Sequence, residues 1–250
     1  RCAMLARMGA IAASYDLFAW GESALQFDSK LHRHSMAHTM QTLNGIRILD
    51  YLLSLPKADK NRVGITGGSG GGSQTMLIAA IDDRVTVSIP VVMTSSHFMG
   101  GCPCESGKPV HLCGNGTNNA EIAAMFAPRP QLIASDGKDW SSSVPYLELP
   151  FIRKIYGFYE KKDLVQNVHF QEEGHDYGTS KRNAVYEFMA QYLQLDINVA
   201  KDKAGNIDES TVTIEPFEDL YIFGKDGENL PKNAVRSMDE LERIFEGAQK

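Results

Sequence analysis

Ser69, Asp139 and His175 are the residues of this sequence best suited to nucleophilic chemistry, and they occur in an order that one hydrolytic mechanism uses. A serine hydroxyl is a weak nucleophile at its own pKa, so it needs a base to take its proton and a carboxylate to orient that base. Ser69 lies in Gly67-Gly-Ser-Gly-Gly71, a Gly-x-Ser-x-Gly match. The glycines suit a sharp strand-to-helix turn, where a Cβ at Gly67 or Gly71 is expected to crowd the backbone and block the substrate. A flexible Gly/Ser linker has the same composition, but the flanks argue against one. Val63 to Thr66 reads as a short buried strand, and Gln74 to Ile81 as an apolar, Ala-rich helix. His175, in the loop Glu172-Glu-Gly-His175-Asp-Tyr-Gly178, is the expected general base. The loop Ser135-Asp-Gly-Lys-Asp139-Trp supplies two carboxylates that suit the orienting role, Asp139 as first choice and Asp136 as the alternative. A loop histidine is more often a surface residue and a loop aspartate a turn former, so the conjunction carries the assignment, not any single residue.

The elements that must hold these loops alternate between strand and helix, the pattern of a mostly parallel sheet covered on both faces. A helix is expected over Cys2 to Met8, then a first strand over Gly9 to Tyr15 and a turn-rich loop. Met36, Met40, Leu43, Ile46, Leu49 and Leu53 recur every three or four residues, which predicts a helix from Met36 to Leu55, stopped by Pro56. Beyond Ser69, strands are expected at Val85 to Val92, Gln131 to Ser135 and Asn167 to Phe170, and helices at Leu149 to Tyr159 and Lys181 to Leu193. In open α/β sheets ligands bind beyond the carboxyl ends of the strands, so the loops after Thr66, Ser135 and Phe170 should converge there. Residues 1–195 read as one domain; the more polar segment 196–250 reads as an extension packed on it.

Composition narrows the function classes. At 250 residues and 43% hydrophobic content the chain can bury a substantial core, and its net charge of −6, without a basic stripe, argues against nucleic acid as a partner. No run of 18 apolar residues is present, so no membrane span is expected. Cys102, Cys104 and Cys113 share one Gly- and Pro-rich loop with His111; a disulfide is sterically possible there, and zinc is a minor alternative, because Cys-x-Cys lacks the usual Cys-x-x-Cys spacing. His32, His34 and His38 suggest a metal, but no glutamate base follows the first histidine as in zinc proteases, so packing is the expectation. His97 reads as structural or as a substrate contact, and His169 as a packed strand residue. No metal or organic cofactor is expected.

The chain order nucleophile, acid, histidine is that of the α/β-hydrolases. The stretch Arg62 to Val92 with its glycine-flanked Ser69, the Pro128-Arg-Pro130 strand entry, Ser135-Asp-Gly-Lys-Asp139-Trp and Glu173-Gly-His175-Asp-Tyr resemble the acetyl xylan esterase-like branch of that superfamily over residues 1–195. Gly100-Gly-Cys-Pro-Cys-Glu105, Thr117-Asn-Asn-Ala-Glu121 and the tail beyond 196 resemble the same branch. The resemblance implies an α/β-hydrolase fold and a serine esterase that removes acetyl or uronic acid ester groups from plant polysaccharide, in the periplasm or outside the cell. It implies Ser69 as acylated nucleophile, His175 as proton shuttle, Asp139 as orienting acid and the Gly70 N–H as one oxyanion donor. It also implies a second donor and a neighbouring strand upstream of Arg1. On that expectation the 250-residue chain alone hydrolyses p-nitrophenyl acetate poorly until upstream residues are restored. A prolyl oligopeptidase-type serine peptidase and a non-catalytic hydrolase-like binding module are the alternative readings.

Overall fold

The computed structural model describes residues 1–97, 108–112 and 115–248. The sheet they contain is built where apolar runs are long enough to be buried on both faces. β2 (Val87–Val91) and β3 (Gln131–Asp136) are buried at every position and form its centre. β1 (Gly64–Gly68) lies beside β2 and β4 (Val165–Phe170) beside β3, giving the order β1-β2-β3-β4 with every pair parallel. The sheet is open, as an α/β-hydrolase sheet is. Its register fixes the geography of the site. Gly68 pairs with Val91, Val91 with Ala134 and Asp136 with Phe170, so the carboxyl ends of all four strands fall on one rim.

Side chains alternate across the strands and divide the core in two. Val87, Ile89, Val91, Leu132 and Ala134 meet α1 (Cys2–Arg7) and α7 (Thr179–Leu193) through Met4, Met8, Val185, Tyr186 and Met189. On the other face Ile133 and Val165 meet α3 (Gly70–Ile81), α5 (Asn119–Ala124) and α6 (Glu148–Gly157), with Met76, Ala123, Ile152 and Tyr156 filling the space. α2 (Ala37–Ser54) packs on α3 through Leu49 and Ile78. The short α4 (Lys108–His111) precedes α5. Among the described residues no helix is long and apolar enough to cross a membrane.

Several elements differ from expectation, each for a physical reason. Residues 10–16 are irregular, not a strand. Gly9, at φ +105°, turns the chain out of α1, and among the described residues no strand lies beside the segment to give it a hydrogen-bond ladder. This segment and the unpaired edge of β1 instead face one another across a cavity. α3 begins at Gly70, four positions before the apolar pattern starts, despite the poor helix propensity of three successive glycines. Tertiary packing overrides that propensity: a Cβ on Gly72 would stand 2.6 Å from Met93 Cβ. β2 is shorter than its β-branched run, because Thr86 and Val87 N–H both turn to Val63 O and Val92 adopts φ +48°.

Residues 196–248 run back over the rest of the chain. Asp196 N–H donates to Met8 O (3.0 Å), Arg7 Nε to Val199 O (3.0 Å) and Gln26 Nε2 to Val235 O (3.0 Å). α8 (Met238–Ala248) sets Leu241 among Phe18, Phe27 and Ala37. A charged tie is Glu209, whose carboxylate accepts three bonds from Arg182 and one from Tyr186 (2.6 Å) on α7. The Arg182 guanidinium, with Tyr186 assisting against partial burial, holds Glu209 down at about 2. A carboxyl depressed in the folded state stabilises above its unfolded pKa and loses that contribution as pH falls through the folded value. Glu209→Gln should therefore lower Tm by a few degrees at neutral pH, from about 1–2 kcal/mol after allowing for partial exposure. The gap between variant and parent should narrow from pH 4.5 towards pH 2 in thermal melts; a gap independent of pH would contradict the assignment.

Candidate active site

Ser69 joins β1 to α3 on a backbone that few residues tolerate, φ +55° and ψ −120°. Such a conformation costs about 1–3 kcal/mol and persists only where the surroundings impose it. Here Ser69 N–H donates to Val91 O (3.1 Å), while its carbonyl accepts Ser73 N–H (3.1 Å) in the first turn of α3. Its hydroxyl does not cap the helix and so is left for other work. Gly70, buried, is the first residue of α3, and its N–H belongs to the set without an acceptor inside the helix. That N–H and the positive end of a 12-residue helix lie next to the hydroxyl, a favourable place for an oxyanion.

The glycines of the turn have different reasons for being there. A Cβ on Gly67 would collide with the Gly71 carbonyl, whereas one on Gly71 would meet nothing within 4 Å. The expectation that both positions exclude a Cβ for crowding is thus corrected: Gly67 and Gly72 are sterically closed, and Gly71 borders open cavity. Gly67→Ala is expected to cost several kcal/mol and Gly71→Ala less than about 1 kcal/mol. Denaturant unfolding of the two variants checks this, and equal losses would refute the distinction.

Asp139 and His175 are brought together. His175 Nδ1 lies 2.9 Å from Asp139 Oδ2, with the carboxylate side chain 2% exposed and the imidazole 31% exposed. Asp139 Oδ1 is occupied by Ser141, whose N–H donates at 2.6 Å and whose hydroxyl also donates. Burial pushes the Asp139 carboxyl up, but the bonds from His175 and Ser141 outweigh it and hold the group below the ordinary carboxylate range. Asp139 is therefore an anion aimed at the imidazole. Trp140 packs on the His175 ring, centroids 4.2 Å apart. Asp136, the alternative acid, is placed elsewhere: it is fully buried and faces Lys181 Nζ at 3.0 Å. Burial raises it to about 6 in spite of Lys181.

The two loops meet because Gly137 N–H donates to Phe170 O and Lys138 N–H to Glu173 O. A Cβ on Gly137 would collide with the Gln171 carbonyl, so only glycine permits this approach. Ser69 and His175 line one cavity of about 710 Å³, bounded also by Tyr177, by Leu49 and Leu53 of α2 and by the outer edge of β1. Among the described residues no hydrogen bond joins the Ser69 hydroxyl to His175. In many hydrolases that contact tightens only with substrate in place.

The remaining candidates fall outside this centre. His32 Nδ1 lies 2.8 Å from Phe18 O, and its ring stacks on Trp20. His38 Nδ1 meets Gln74 Nε2 at 3.1 Å. His34 approaches Glu242. His111 Nε2 contacts Asn119 Oδ1 (2.8 Å). His169 is bonded to Ser135. His97, 59% exposed, stands 3.8 Å from the buried Glu148. Cys102, Cys104 and Cys113 lie outside the described residues. Sequence reasoning missed Ser141 and Lys181. The first had a signal, a hydroxyl two residues after the acid, the spacing of an Asx turn.

Residues 36–102 match the acetyl xylan esterase (AXE1) family model. The structure is similar to that of the methylesterase BT1017, with 52% identity and a TM-score of 0.89 over 99% of this chain and 56% of that one. The chain thus spans a little over half the length of that protein. It is also similar to the catalytic domain of a glucuronoyl esterase from Hypocrea jecorina (15% identity, TM-score 0.52, 76% and 63% of the two chains). A promiscuous esterase from a marine bacterial metagenome gives 16% identity and a TM-score of 0.50, over 72% and 54%. At such identities the last two show likeness of fold. No curated protein matches the sequence significantly.

Proposed function

We propose that the chain, which is similar to the acetyl xylan esterase family over residues 36–102 and to a methylesterase over nearly its whole length, is a serine carboxylic-ester hydrolase working through an acyl-enzyme. The observation that carries this reading is the strained Ser69 at the head of α3, sharing a cavity with an imidazole whose Nδ1 meets a buried carboxylate at 2.9 Å. With the Asp139 anion at Nδ1, the imidazole keeps its other nitrogen, Nε2, free of a proton and able to accept one. His175 Nε2 takes the Ser69 proton as the hydroxyl oxygen attacks the ester carbonyl. The resulting oxyanion is met by the Gly70 N–H. Collapse expels the alcohol, which leaves with the proton from His175, and Ser69 remains acylated. Water then repeats the sequence: His175 removes its proton, the tetrahedral intermediate collapses, and the carboxylic acid departs as the proton returns to Ser69. No metal or organic cofactor takes part in these steps.

The substrate class is an ester on plant polysaccharide or oligosaccharide, as acyl ester or as the methyl ester of a uronic acid. The acetyl xylan esterase match favours the acyl ester, and the methylesterase likeness favours a methyl ester. A polymer of that kind would be met in the periplasm or outside the cell. The test is a parallel assay of acetylated xylo-oligosaccharide, a methyl-esterified uronic acid oligosaccharide, p-nitrophenyl acetate and a dipeptide p-nitroanilide. In the full-length protein, turnover of one or both carbohydrate esters, with an initial burst on the nitrophenyl ester, is expected. Faster cleavage of the anilide would overturn the proposal in favour of a peptidase.

A further inference from the structure

The mechanism above makes no use of Lys181, although this cation lies wholly buried beside the loops of Asp139 and His175. Lys181, in the first turn of α7, has a side chain with no solvent exposure. A lysine is almost never wholly buried unless paired, and a cation in the first turn of a helix opposes the helix dipole. Replacing such a buried charge network by packed apolar groups is often neutral or stabilising, so stability gives a weak reason for it.

Its partners give a better one. The ammonium lies 3.0 Å from Asp136 Oδ1, at the end of β3 where the loop to Asp139 begins. It donates to Glu173 Oε2 (2.8 Å) and Asp176 Oδ1 (2.6 Å), which flank His175 on either side, and reaches Gly174 O at 3.4 Å. Ser180 adds a hydroxyl bond to the same Glu173 oxygen (2.6 Å). The ammonium also stands 5.5 Å from the centre of the Phe170 ring, at the end of β4. One cation thus touches the root of the acid loop, the root of the histidine loop, and the residues before and after the histidine. Burial pulls the Lys181 ammonium down, but its three carboxylates outweigh this and keep it charged. Asp176 is further tied by Gly178 N–H (2.8 Å), which closes the turn.

We infer that Lys181 is a positioning residue: by clamping Asp136, Glu173 and Asp176 to one buried ammonium, it fixes the His175 loop against the Asp139 loop and so sets the Asp139–His175 bond. This rests on the serine hydrolase reading for its consequence in catalysis, and on geometry alone for the clamp. Loop displacements near 1 Å cost roughly 10²-fold in rate, so a loosened clamp is costly even where no reacting atom is touched.

Lys181→Met tests the ammonium directly. Glu173→Gln combined with Asp176→Asn tests the clamp without emptying a buried site, because those side chains are 35% and 60% exposed. Two readouts apply. One is the downfield proton resonance of the His175 Nδ1–H held by Asp139, identified by its loss in His175→Gln; the other is the rate of Ser69 labelling by a fluorophosphonate. In the double variant the resonance should broaden or vanish and labelling should slow about 10-fold, with Tm little changed; Lys181→Met should slow it roughly 10²-fold. An unaltered resonance and labelling rate in the double variant overturns the inference, whatever Lys181→Met does. Failure of the parent to label at Ser69 would instead sink the hydrolase reading, and the resonance would still decide the clamp.

Discussion

Ser69→Ala should lower kcat by roughly 10⁶-fold, the loss seen when a serine nucleophile acting as part of a unit is removed. Substrate binding should change little, because the cavity wall loses a single oxygen. The same position yields a second, opposite result. Ser69 holds φ +55° and ψ −120°, a conformation alanine shares at equal cost and glycine adopts freely. Ser69→Ala should therefore leave Tm within about a degree, whereas Ser69→Gly, equally inactive, should raise it by several degrees as about 1–3 kcal/mol of strain is released. Calorimetry on the two variants beside an ester assay reads both effects. A Ser69→Gly variant no more stable than the parent would mean that the turn is not strained, and turnover near the parent's rate in either would remove Ser69 from the mechanism.

The two aspartates of one loop should separate just as sharply. Asp139→Asn is expected to reduce kcat by about 10⁴-fold, since an amide at Nδ1 favours the wrong tautomer of the imidazole. Asp136→Asn should cost less than about tenfold, because Glu173 and Asp176 still hold Lys181. Its effect on stability has a definite sign. The folded pKa of Asp136 is raised to about 6 from 3.8, chiefly by burial, so the native state binds its proton more tightly than the unfolded chain does. The stabilisation from that proton is present below pH 3.8 and is lost as pH rises through about 6. Relative to the parent, Asp136→Asn should gain stability between pH 4 and pH 7 in denaturant titrations. Inactivity of Asp136→Asn together with full activity of Asp139→Asn would exchange their roles.

What could be read from the sequence is what depends on local pattern. The Ser69 turn was legible because glycines, a short apolar strand and an apolar helix stand in the one order that such a turn needs. The loops of Asp139 and His175 were legible because each follows a β-branched or apolar run and carries polar residues at its tip. Residues 10–16 were misjudged because an apolar segment becomes a strand only if a neighbour supplies a ladder, and nothing local says whether one does. The glycine assignments were half right: Gly67 is closed by the Gly71 carbonyl of its own turn, Gly72 by Met93 brought near through packing, and Gly71 by nothing. Lys181 gave no signal at all. In sequence it is an ordinary polar residue at a helix start, and its burial is a product of two loops meeting around it.

The central claim is that Ser69 is made nucleophilic by the imidazole of His175, held in place by Asp139. It is tested most directly by treating the protein with a fluorophosphonate and locating the adduct by peptide mass mapping, in the parent and in His175→Gln. The account predicts a single adduct on Ser69 in the parent, and loss of that adduct in the variant. An adduct on another serine, or labelling of Ser69 undiminished by His175→Gln, would contradict it.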